Sequence, residues 1–198
     1  ANIYKNYLES LDENKLFFLQ SDISRFDAYK TGMDDAIKSQ DIGPAFEIFK
    51  VYLQRVDQRV AHARSLLKQD FDFSAKEQYR YDREDAQWAA SEAELDALWL
   101  QSVKNDVLRL KLAGRPMAEI RSTLDKRYGN LSERLHQLRG DDVFENFMNA
   151  YGTSIDPHTS YMSPRSADNF NMTMKLSLEG VGAVLLRLGP DVARGPTA

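Results

Sequence analysis

The sequence of 198 residues contains no cysteine, which excludes disulfides, thiolate metal sites and cysteine nucleophiles at once. Only three histidines are present, His62, His136 and His158; they lie far apart and lack a paired spacing such as H-E-x-x-H, so no histidine metal site is expected. Positive charge is not in excess, with 26 Lys and Arg against 30 Asp and Glu, and such a chain has no electrostatic footprint for a phosphate backbone. Long apolar runs are also missing. The densest is Leu16-Phe17-Phe18-Leu19, far short of a bilayer's thickness, and the amino terminus shows no basic segment followed by an apolar one. These absences predict no nucleic-acid partner, no membrane insertion, no metal and no cofactor.

What is present is helical periodicity. Ile3, Tyr4, Tyr7, Leu8 and Leu11 recur at three- and four-residue spacing and predict an amphipathic first helix. A polar break then leads into Leu16–Leu19, read as a core plug because aromatics at this density are usually buried. Ser21 or Asp22 is the expected cap of a helix through Phe26, Tyr29, Met33 and Ile37. Gly43-Pro44 opens a long helix striped by Phe46, Phe49, Leu53, Val56, Val60, Ala63 and Leu67, expected to run about 26 residues.

Residues 71–81 (FDFSAKEQYRY) alternate aromatic and polar and predict an extended connector with its rings on the helices. Asp70, Asp72, Glu77 and Asp82 offset the local positives, which argues against stacking of nucleic-acid bases there. Helix is expected again over 84–112, with Trp88, Leu95, Leu98, Trp99, Val103 and Val107 inward. Three short helices should follow, the first ended by Gly129, the second capped by Asn130 and ended by Gly140, the third capped by Asp142 with Glu145.

Catalytic patterns are weak. Ser65-Leu66-Leu67-Lys68 matches S-x-x-K, but its charged surroundings offer no desolvated lysine, so the match is read as coincidence. The pairs Asp34-Asp35 and Asp141-Asp142 diverge on a helix and suit caps or solvated charges better than an acid/base couple.

The character of the sequence changes over residues 155–185. Asp156-Pro157 and Ser163-Pro164 pin the chain twice around a polar turn that includes His158. Residues 172–186 then alternate like a strand and contain Gly180-Val181-Gly182. Two glycines so spaced suit either a bulge or a nest of N–H groups that grips a peptide carboxylate.

The block SIDPHTSYMSPRSADNFNMTMKLSLEGVGAVL, together with LDENKLFFLQSDI upstream, resembles the tail-specific branch of the carboxy-terminal processing protease family. The resemblance implies a mainly α fold, a multi-helix N-terminal domain over 1–170 followed by the first strand of an incomplete PDZ domain over 171–186, while the Gly/Pro-bearing tail at 187–198 departs from the family pattern. It further implies a periplasmic serine endopeptidase, and a substrate C-terminus held by Leu178, Gly180, Val181, Gly182 and Ala183. The implied partners are protein or peptide substrates with accessible C-termini and an adaptor lipoprotein, and a lone PDZ strand invites self-association. The family pattern would continue past Leu185. No residue here corresponds to its nucleophilic serine or its lysine base, so the expected role of these helices is substrate access, PDZ support and adaptor docking, against the alternative of a free-standing helical interaction module.

Overall fold

The computed structural model describes residues 2–33, 35, 39 and 41–175. Contacts divide the chain into one unit ending at Tyr161 and a second beginning at Met162. Among the described residues it is all helix and coil, with a single isolated bridge between Leu19 and Ala89 in place of any strand.

The first helix, α1 (Asn2–Leu11), buries the five apolar residues of its stripe: Ile3, Tyr4, Tyr7, Leu8 and Leu11. Its partner is α6 (Gly140–Ile155), which turns Val143, Phe147 and Ala150 inward. Tyr7 is fully buried, meets Phe147 edge-on at 5.5 Å, and donates to the Ala45 carbonyl at 3.0 Å. Full burial of one such ring stabilises by about 1.5–3 kcal/mol, enough to fix the amino terminus to an element some 140 positions away in sequence.

After a turn, α2 (Gln20–Phe26) passes into a 3-10 turn, Asp27–Tyr29. The cap is neither Ser21 nor an Asp22 in the expected place. Asp22 stands three residues inside the helix and accepts the Leu19 N–H at 2.9 Å, while the guanidinium of Arg55 grips the same carboxylate at 2.8 and 3.0 Å. Ile37 lies outside the described residues.

The long helix α3 (Gly43–Leu66) carries Pro44 in its first turn, as the sequence predicts, and spans 24 residues. At 1.5 Å per residue it is about 36 Å long. Against it pack α4 (Glu92–Leu112), α5 (Met117–His136) and α6, so α3 is the central strut of the unit.

Two helix boundaries differ from expectation. Helix α4 begins at Glu92 rather than Glu84, because Ser91 accepts the Glu94 N–H at 3.2 Å and Glu94 reaches back to the Ala90 N–H at 2.8 Å. Helix α5 runs through Gly129 and Asn130 to His136, merging two expected helices into one. Buried Ile120, Leu124 and Tyr128 hold it on α3 and α4, and this packing outweighs the roughly 1 kcal/mol that an interior glycine loses. Helix α4 stops short of Gly114, whose φ of +81° is a left-handed conformation that favours glycine. At α6 the carboxylate of Asp142 accepts the Arg139 N–H at 2.8 Å, so Asp142 serves three residues inside the cap rather than as the cap.

The second unit contains α7 (Pro164–Lys175), with proline at its first position and Ser163 Oγ accepting the Ser166 N–H at 3.4 Å. The strand expected from Met172 is thereby corrected at its start, since residues 172–175 are the last turn of α7. The rest of that stretch lies outside the described residues.

Candidate functional site

The carboxylate-gripping residues expected at Leu178, Gly180, Val181, Gly182 and Ala183 all lie outside the described residues. Ser65 and Lys68 both face solvent, and Ser65 Oγ donates to its own helix at the His62 carbonyl, 2.7 Å away. Ser132, Asp57 and His136 do meet on the surface, but Asp57 stands in the middle, accepting from Ser132 at 2.7 Å and lying 2.9 Å from His136 Nε2. In a serine–histidine–aspartate relay the hydroxyl bonds the imidazole and the carboxylate stands behind it, so this order is not that of such a relay. His62 lies 3.7 Å from Asp96, which pairs with Arg59 across the α3–α4 seam. No group of His, Asp and Glu that could hold a metal occurs among the described residues.

Two arrangements are built to a higher standard. The first is the junction made by the upstream block. Asp12 is 2% exposed, and its carboxylate accepts the N–H groups of Leu16 at 2.7 Å, Phe17 at 3.2 Å and Phe18 at 3.0 Å. The Trp88 indole adds a fourth donor at 3.0 Å. Burial pushes the Asp12 carboxyl up from the ordinary range, and the four donors pull against that rise. Lys15, at φ +55°, turns its ammonium to the Glu13 carbonyl and over the Trp88 ring. The loop thus wraps its backbone around one side chain, and Phe18 is driven into the core beside Phe26 and Tyr52. Trp99 closes the junction by donating to the Leu16 carbonyl at 2.6 Å. The structure confirms the core-plug reading of Leu16–Leu19 and adds that an aspartate organises it.

The second arrangement is a groove of about 310 Å³ between the connector and α4. The connector lines it with Phe73, Ala75, Glu77, Gln78, Tyr79 and Tyr81. Its floor is Gln101, Lys104, Asn105 and Leu108, one face of α4. The Tyr79 and Tyr81 rings meet edge-on at 4.8 Å, and their hydroxyls donate to Ser102 Oγ at 3.3 Å and Asn105 Oδ1 at 3.0 Å. Lys104 pairs with Glu77 at 2.7 Å. Alternation predicts the extended connector from sequence, whereas the groove depends on which helix it lies against.

The Asp156-Pro157 turn forms as expected: Asp156 is extended, ends α6, and its carboxylate accepts the His158 N–H at 3.3 Å and the Thr159 hydroxyl at 3.0 Å. His158 therefore has a structural place, on an exposed turn whose Thr159 comes back against Gly152.

Residues 1–165, which take in the Asp12 junction, the groove and this turn, match the family model described as the tail specific protease N-terminal domain. The chain belongs to that family. A tail-specific protease of Haemophilus influenzae is 41% identical over 184 residues, an alignment covering 92% of this chain and 26% of that protein. The chain thus spans about a quarter of the length of its relative. Within this tail-specific protease domain, the residues that carried the resemblance have physical jobs. LDENKLFFLQSDI makes the buried Asp12 junction, and DPHTSY makes the turn that closes α6.

Proposed function

We propose that these helices are the amino-terminal domain of a periplasmic tail-specific serine endopeptidase, which selects proteins by their C-termini and hydrolyses them in a separate Ser-Lys domain. The single observation that carries this reading is the match of 184 residues at 41% identity to one quarter of a tail-specific protease. On this reading the segment around Leu178, Gly180, Val181, Gly182 and Ala183 opens a PDZ domain and grips the substrate carboxylate. The helical unit guides substrate, supports the PDZ domain and offers a face to an adaptor lipoprotein. The described helices suit such a scaffold, because their chemistry-like clusters are ion pairs and caps, and no helix among the described residues is long and apolar enough to cross a membrane.

The test uses the protein encoded by the whole gene. It is incubated with a folded reporter carrying a flexible apolar C-terminal tail, and with the same reporter whose tail ends in charged residues. Cleavage that is at least about tenfold faster for the apolar tail, corresponding to about 1.4 kcal/mol of discrimination, is the expected result. Equal rates, or no cleavage of either reporter, would overturn the reading in favour of a helical interaction module.

A further inference from the structure

We propose that the groove between the connector and α4 receives an extended stretch of polypeptide by strand addition, engaging an internal segment of a protein substrate rather than its terminus. This deepens, and rests on, the reading of the domain as a guide for substrate.

The connector is coil, turned at Ala75 to Glu77, and no ladder pairs its backbone among the described residues. The main-chain N–H groups of Lys76, Gln78, Tyr79, Arg80 and Tyr81 have no partner among the described residues; within 76–81 the single main-chain bond is from the Glu77 N–H back to the Ala75 carbonyl at 3.1 Å. The carbonyls of residues 76–81 likewise accept from none of the described residues. Residues 76–78, 80 and 81 are exposed, so water meets these groups in the free protein, and a row of backbone groups without protein partners is a template that another chain can complete. Only a polypeptide presents N–H and C=O groups at a matching repeat of about 3.3 Å per residue.

The groove supplies the second half of the recognition. Alternate side chains of an added strand would point the same way as Phe73, Tyr79 and Tyr81, toward Leu108 and the aliphatic stem of Lys104. About 310 Å³ is enough for one or two apolar side chains, at the lower end of ligand-sized sites. The amides of Gln78 and Gln101, and the Asn105 NH2 group left over from its bond with Tyr81, can bond main chain without demanding a sequence. Positive and negative groups there are already neutralised in the Lys104–Glu77 pair, so the groove selects against charge rather than for it. A site built in this way takes many sequences weakly, provided that they are unfolded and carry apolar residues at alternate positions.

The probe is a peptide of about six residues, capped by acetyl and amide groups, with leucine at alternate positions. The amide cap removes the carboxylate, so the glycine segment near residue 180 cannot account for binding. Binding to the 198-residue chain is followed by amide hydrogen exchange of residues 76–81. Saturable binding at submillimolar peptide is expected, with protection at 76–81 and a loss of about tenfold when alternate peptide nitrogens are methylated, one or two hydrogen bonds' worth. Leu108→Glu should weaken binding similarly, and so should Tyr81→Ser, at a position exposed enough to leave the fold intact. No protection at 76–81, equal binding of the methylated peptide, or binding that requires a free carboxylate would each overturn the proposal. Because the peptide test needs no proteolysis, the groove and the tail-specific reading fail separately: peptide binding beside an inactive full-length protein refutes only the second.

Discussion

Replacing Asp12 by alanine probes the junction most directly. Its carboxylate satisfies four donors, of which the Phe18 N–H is fully buried and those of Leu16, Phe17 and Trp88 are partly so. A buried donor left unpaired costs about 1–3 kcal/mol, and partly exposed donors recover some of that from water. The sum for Asp12→Ala is therefore about 3–5 kcal/mol, a large share of the stability of a domain this size. It should lower the melting temperature by roughly 10 °C, at about 2–4 °C per kcal/mol for a domain of this length. Asp12→Asn is the informative companion. Three donors converge on Oδ2 and one on Oδ1, so an asparagine oxygen placed at Oδ2 keeps three bonds and sets its amide against the Leu16 N–H alone. Its loss should be about 1–2 kcal/mol. Urea unfolding followed by helical circular dichroism and by tryptophan fluorescence measures both, since Trp88 and Trp99 each bond to this loop. A loss below about 1 kcal/mol for the alanine variant would refute the view that Asp12 organises the block.

Gly129→Ala should stabilise by about 0.5–1 kcal/mol, because the position is helical and a Cβ there meets nothing within 4 Å; a fall in the urea midpoint would contradict a continuous α5. Gly152→Val should destabilise by about 1–3 kcal/mol, since even a Cβ at this site lies 3.2 Å from Thr159 Cγ2 and 3.3 Å from the Thr159 carbonyl; an unchanged melting temperature would show that the turn is not packed on α6. The surface pair of Arg64 and Asp125, at 2.6 Å, holds the Asp125 carboxyl below its ordinary range through the hydrogen bond from Arg64. A depressed carboxyl contributes stability above the unfolded pKa of about 3.9 and loses it as pH falls through the lower folded value. Arg64→Leu should therefore cost at most about 1 kcal/mol at neutral pH and low salt, and less at pH 2. Equal effects at both pH values would assign the loss to packing of the Arg64 stem.

The comparison of pattern with structure turns on a few places. Glycine at 129 reads as a stop when neighbours in sequence are all that is known, yet Leu124 and Tyr128 are held by α3 and α4, so the helix continues across it. Glu84 to Ser91 has residues that suit a helix, but Trp88 is drawn out to Asp12 and Ala89 accepts the Gln20 N–H at 2.9 Å. That pull delays α4 to Glu92, although Ser91 and Glu94 formed a legible capping signal. Residues 172–175 alternate in apolar character and are nonetheless helical, since four residues fit either period.

Periodicity and local chemistry alone determined that the chain is mainly helical, where α1 and α3 lie, that residues 71–81 interrupt the helices, and that Asp156-Pro157 ends a helix. Each of these depends on groups within one or two turns of each other, so the sequence contains the whole cause. Tertiary structure decided that Asp12 gathers donors from its own loop and from Trp88, that two short helices are one, and that the extended connector and α4 enclose a groove. Those outcomes depend on side chains distant in sequence meeting in a close-packed interior, where burial decides between local alternatives of nearly equal energy.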